Sequence, residues 1–177
     1  MDDLVFWLLA RVTGLSAFAA LSLSVLSGEA LRTSVLDALA SNRAIRKLHD
    51  FTTPLWIPLG AAHCVTLVFD RTARVGWSDL VIPFGVSYGP WQIGLGTISL
   101  DIFVVVVLTS WIRRSLSNGL WQWIHRASYV GFVALFFHAA TSGTDFGAPV
   151  VSAIAWSTAA ALAVVGVSRL VWGRLPA

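Results

Sequence analysis

Apolar positions in this chain follow neither a strand alternation nor a one-sided helical stripe; they fill five long stretches from which polar residues are nearly excluded. The stretches run over Leu4–Leu26, Lys47–Phe69, Ile93–Ile112, Leu120–Thr141 and Pro149–Val171. Each has twenty or more residues, and at 1.5 Å of rise per residue that length covers a hydrocarbon core of about 30 Å. The pattern predicts an all-α, multi-pass transmembrane bundle of five spans. Residues 1–177 form one domain with no repeat, low-complexity tract or soluble part. The segment Asp70–Gln92 carries Trp77, Pro83, Phe84, Tyr88, Pro90 and Trp91. That composition suits a segment lying at the membrane surface, either as a lid or as a lipid anchor.

Composition agrees with this pattern. Of 177 residues, 56% are hydrophobic and only 12% charged, about half the charged fraction of an ordinary soluble domain. The sequence pI near 9.8 does not indicate nucleic acid, because the basic residues cluster beside the apolar stretches as membrane-flanking charges do. Cys64 is the single cysteine, so no internal disulfide or thiolate cluster forms. The acidic start, Met1-Asp2-Asp3, marks the first stretch as a retained helix and not a signal peptide.

Orientation follows from the basic residues. Arg32, Arg43, Arg46, Lys47, Arg113, Arg114, Arg126, Arg169 and Arg174 fall on one side, and Arg71 and Arg74 on the other. This asymmetry predicts an outer N-terminus and a cytoplasmic C-terminus.

The candidate chemistry lies in four histidines, His49, His63, His125 and His138, two in the second span and two in the fourth. Those spans run in the same direction, so His49 and His125 belong near the inner face and His63 and His138 nearer the outer one. The separations of 14 and 13 residues correspond to about 21 and 20 Å along a helix. Two spans that each offer one histidine per level predict two stacked bis-imidazole sites, the ligand set of two b-type haems. Met1 is the only methionine and no alternative axial ligand is at hand. Zinc is disfavoured, since each level supplies two protein ligands where zinc takes three or more. The bland reading of an intramembrane histidine is a hydrogen-bonded structural residue or a proton relay; four histidines paired at two levels outweigh it. On an ideal helix 14 residues advance about −40° and 13 about 220°, so the two pairs are not equally co-facial. Pro54 and Pro58 are expected to bend the second span and change its phase. Gly131, on nearly the same face as His138, is expected to leave room for a porphyrin edge.

The chain resembles the ferric reductase-like transmembrane domain, which includes the membrane halves of ferric reductases and NADPH oxidases and the bacterial haem subunit of the methionine sulfoxide reductase system. The resemblance rests on His-x13-His, His-x12-His two spans later, the stretch Trp121-Gln122-Trp123-Ile124-His125-Arg126-Ala127-Ser128-Tyr129, and Arg11-Val12-Thr13-Gly14. It implies an inner haem on His49 and His125 and an outer haem on His63 and His138. Electrons would pass from the cytoplasmic side to an outer acceptor in a cell membrane, with a bacterial plasma membrane as the expected setting. The chain departs from many members in having five spans and not six. It also has Leu67 one turn beyond His63, where the oxidases place a further histidine. No glycine-rich nucleotide fingerprint occurs, so a separate flavoprotein or a membrane quinol is the expected donor.

Charges inside the spans complete the candidate set. Arg11 either pairs with Asp101, binds an outer haem propionate or contacts the acceptor. Arg46 and Arg126 are topogenic charges that also suit inner propionates. Two rival functions stand beside this one: a quinol-linked carrier of the cytochrome b561 kind, and a haem-free transporter or assembly factor with histidine proton relays.

Overall fold

The structure is a computed structural model that describes residues 2–31 and 40–172, with side chains over 3–31 and 40–168. Arg32 and Arg174 of the orientation argument, and the side chain of Arg169, lie outside the described residues. The described chain is helical, in the order α1 (Asp2–Ala30), α2 (Asn42–Phe69), α3 (Pro90–Trp111), α4 (Asn118–Ser142) and α5 (Pro149–Trp172), with three short 3-10 turns between them. Every predicted stretch is a helix, and the ends differ by a few residues.

Four of these helices, α1, α2, α3 and α5, are long and apolar enough to cross a membrane. In α4 length is not the limit, since its 25 residues rise about 38 Å. Gln122, His125, Arg126 and His138 interrupt its apolar run and keep it out of that set. Large apolar side chains such as Leu8, Phe51, Val105, Val133 and Ile154 lie exposed on the helices, an arrangement suited to lipid and unfavourable in water.

The chain divides into two compact units, one of Met1–Thr66 with Pro149–Ala177 and the other of Leu67–Ala148. In the first, α1 packs on α5, and the side chains of α2 reach α1. The C-terminal end of α1 runs four residues beyond the predicted span, to Ala30, and this end buries Ser24, Ser27 and Glu29. Polar residues are tolerated there because the hydroxyls are bonded: Ser27 Oγ donates to the Leu23 carbonyl of its own helix at 2.7 Å, and Ser24 Oγ lies 2.8 Å from Thr53 Oγ1 of α2. At the other end of this connection, Ser41 caps α2 by accepting from the Ala44 N–H at 3.3 Å. Helix α2 is continuous through Pro54 and Pro58.

In the second unit α3 and α4 form an antiparallel hairpin. Gly131 makes their close approach, since a Cβ there would lie 3.0 Å from Ile102 Cγ2 and 3.2 Å from Phe103 Cε2. The expectation that Gly131 leaves room for a porphyrin edge is therefore corrected; helix packing takes that space. The segment 70–89 folds onto the first turns of α3. Thr97 Oγ1 donates to the Asp79 carbonyl at 2.7 Å, and Phe84 packs on Gly94 and on Trp91, with ring centroids 4.9 Å apart. Gly89 adopts φ 59° just before Pro90 opens α3, a conformation in which glycine carries no Cβ penalty.

Candidate cofactor site

Three of the four histidines are held in one repeated way. His63 Nδ1 lies 2.8 Å from the Ala10 carbonyl, His49 Nδ1 lies 2.9 Å from the Ser24 carbonyl, and His138 Nδ1 lies 2.8 Å from the Gln92 carbonyl. A carbonyl only accepts, so each Nδ1 is the protonated nitrogen and donates. The tautomer is thereby fixed, and the lone pair belongs to Nε2 in every case. An imidazole fixed through Nδ1–H to a carbonyl is the usual arrangement of a metal-ligating histidine.

Each acceptor is followed four residues later by a glycine on the same helix. A Cβ on Gly14 would lie 2.7 Å from His63 Nδ1 and 2.9 Å from its Cε1. On Gly96 it would lie 2.7 Å from His138 Nδ1 and 2.8 Å from Cε1. On Gly28 the distances to His49 are wider, 3.3 Å to Cε1 and 3.5 Å to Nδ1. The reason is helix geometry. A Cα–Cβ bond tilts toward the helix N-terminus, so a side chain at i+4 covers the turn that holds carbonyl i. Leaving out that Cβ uncovers the carbonyl for a ring from the neighbouring helix.

The first unit contains this cradle twice. Ala10 and Ser24 are 14 residues apart, as are Gly14 and Gly28, and as are His49 and His63 on the antiparallel α2. A step of 14 residues changes the face by only about −40°, so one face of α1 serves both histidines. Ser24 adds its hydroxyl, 2.8 Å from Thr53 Oγ1 and 3.5 Å from His49 Nδ1.

The fourth histidine is restrained differently. The 13-residue step in α4 turns His125 about 220° from His138, off the face that meets α3 at Gln92. At the matching depth of α3 there is no glycine. Thr109 Oγ1 donates to the Val105 carbonyl and Ser110 Oγ to the Val106 carbonyl, each at 2.7 Å. His125 stacks on Trp121 one turn earlier, with ring centroids 5.0 Å apart and planes at 24°. Arg113 in turn places its guanidinium carbon 4.2 Å from the Trp121 ring centroid.

The predicted arginines are distributed as follows. Arg11 lies over the Trp7 ring at 4.2 Å, a contact that uses one face of its guanidinium. Arg126 is exposed and lies 5.3 Å from the Trp123 ring centroid. Arg46 is exposed near the start of α2, three residues before His49. A cavity of about 650 Å³ opens at the α3–α4 turn between Ser110, Arg113, Arg114 and Asn118, at the far end of α4 from His138.

Sequence reasoning found the histidines and missed what surrounds them. Gly28, Gly96 and Trp121 carried no assigned role. The signal that could have revealed the first two is the acceptor-to-glycine interval of four, repeated at the histidine spacing. Glu29 was also missed. It is a carboxyl only 8% exposed, and its Oε1 lies 3.1 Å from where a Gly166 Cβ would stand.

These donors fit haem. The three Nδ1-anchored imidazoles keep their lone pair on Nε2, a nitrogen of the kind that holds haem iron. The chain matches no protein-family model, no curated protein and no solved structure with which it was compared.

Proposed function

We propose that this chain is a membrane electron-transfer protein of the ferric reductase-like kind, holding two b-type haems on His49 with His125 and on His63 with His138. The observation that carries this reading is the repeated cradle of a Nδ1–H···O=C bond beside a glycine, at His49, His63 and His138. A histidine serving as a proton relay must exchange protons at both ring nitrogens. Fixing Nδ1 on a helix carbonyl that cannot take a proton opposes that use and favours a permanent ligand. Haem held by two imidazoles supplies reversible one-electron acceptance at the iron.

The chain's own residues do the rest. The carbonyls of Ala10, Ser24 and Gln92 set ring orientation and raise the basicity of Nε2. The apolar helices carry the imidazoles into a hydrocarbon medium. Arg11, Arg46 and Arg126 are the cations we assign to the carboxylate edges of the haems. Five crossings with the N-terminus outside fit the basic residues Arg43, Arg46, Lys47, Arg113 and Arg114, set against Arg71 and Arg74. The donor on the inner side is a flavoprotein or quinol and the acceptor is outside, in a bacterial plasma membrane.

The test is a dithionite-reduced-minus-oxidised spectrum of the purified chain. A bis-histidine b-type spectrum is expected, halved in intensity by His63→Ala. A flat difference spectrum from a folded, haem-supplemented preparation would rule the reading out.

A further inference from the structure

The stack at the inner end of α4 has no counterpart in the carbonyl-and-glycine cradle. Trp121 and His125 are one turn apart, so their rings meet on one helix face, nearly parallel at 24°. Arg113 comes from the turn before α4 and covers the indole at 4.2 Å. Trp121 is half-buried, and its Nε1 is buried without a hydrogen-bond partner among the described residues. A buried indole N–H usually finds an acceptor. Here the ring stacks on the imidazole and lies under the guanidinium, while its N–H makes no such bond. The arrangement favours face contact over hydrogen bonding, which is unexpected if Trp121 merely filled space or anchored the helix at the membrane surface.

We infer that Trp121 is the positioning residue of His125, and that Arg113 acts through it as a fixed positive charge on the inner ligand. The inference rests on the haem reading given above. An indole face parallel to the imidazole restricts rotation of the ring about its bond to Cβ, and ring orientation is what an axial ligand must hold. A guanidinium over the indole ring polarises the stack and favours the state carrying one more electron at the group His125 ligates. The two ligands of the inner level are thus held by unlike means: His49 through Nδ1 on a carbonyl, and His125 by its face. At the outer level His63 and His138 share the carbonyl anchor. The two centres should differ in potential and in magnetic signature, and the inner one alone should respond to Arg113 and Trp121.

The test uses the full-length, haem-loaded chain with Trp121→Leu, Trp121→Phe, Arg113→Gln and Arg113→Lys. Haem content, the low-spin electron paramagnetic resonance spectrum and the midpoint potential of each haem are measured. The inner signal is the one lost in His125→Ala. Trp121→Leu should broaden and shift that signal and move its potential negative, while the outer signal stays in place. Trp121→Phe should restore most of both. Arg113→Gln should move the same potential negative with haem content unchanged, and Arg113→Lys should hold it closer to the wild type. Loss of the inner haem in Trp121→Leu with recovery in Trp121→Phe supports the same role. If Trp121→Leu does not fold, the exposed Arg113 pair decides. Unchanged inner signal and potential in Arg113→Gln and in any folded Trp121→Leu would overturn the inference while leaving the haem reading intact. A wild-type chain that binds no haem would overturn both.

Discussion

Substituting alanine for the cradle glycines separates a ligand-positioning role from ordinary helix energetics, because the two effects have opposite signs. Exchange of glycine for alanine inside a helix stabilises by about 0.5–1 kcal/mol through backbone entropy. At Gly96 the new Cβ would stand 2.7 Å from His138 Nδ1 and 2.8 Å from Cε1. Ordinary carbon contacts lie near 3.5–4.0 Å, so the ring must retreat by most of an ångström. The Nδ1–Gln92 carbonyl bond, now 2.8 Å, cannot survive that movement as a hydrogen bond. Its loss removes a net ~0.5–1.5 kcal/mol. Loss of a ligand's supporting bond typically lowers metal affinity about 10–100-fold. The steric effect therefore wins at Gly96 and equally at Gly14, where the distances match. At Gly28 the nearest ring atom is 3.3 Å away, a shift of a few tenths suffices, and the two effects nearly cancel. Gly60 has nothing within 4 Å and serves as the control in which only the helix term acts. The assay is haem retained per chain after purification, with thermal unfolding alongside. The expected order of haem loss is Gly14→Ala and Gly96→Ala well above Gly28→Ala, with Gly60→Ala at the wild-type level. Full retention in Gly14→Ala and Gly96→Ala would refute the positioning argument.

Side-chain changes at the acceptor residues should be mild, because the acceptors are backbone carbonyls: Gln92→Ala and Ser24→Ala are expected to keep both haems, as read by the difference spectrum. Gly131→Leu should destabilise by ~1–3 kcal/mol through overpacking against Ile102 and Phe103, visible as a lowered unfolding temperature with ligands untouched. His138→Ala should remove the outer haem and largely keep the inner one, giving half the absorbance change on reduction. For topology, a reporter joined after Ala177 should behave as cytoplasmic and one inserted in the segment 70–89 as external; the reverse pattern would exchange the inner and outer labels.

The helices were legible because their apolar length is a composition signal that no packing detail overrides. All five appear within a few residues of where hydropathy places them. The C-terminal end of α1 was read short because Ser27 and Glu29 look like loop residues, whereas the helix absorbs the Ser27 hydroxyl on its own Leu23 carbonyl. The histidines were legible from spacing alone. Their surroundings were not, since a backbone carbonyl acceptor leaves no mark in the side chain that carries it: Ala10, Ser24 and Gln92 share no chemistry. Gly131 was misread because a glycine in a span signals close approach without naming the neighbour, and here the neighbour is α3. The odd 13-residue step in α4, unexplained by spacing, has a structural counterpart in the Trp121 stack on His125.

The most direct test of the central claim is haem per chain, measured by pyridine haemochrome against protein concentration in a fully loaded preparation of the wild-type chain. Four cradled or stacked imidazoles, taken as two axial pairs, predict two b-type haems per chain, both low-spin. A saturating ratio of one would contradict the two-level assignment, and a ratio of zero in a folded preparation would contradict the haem reading itself.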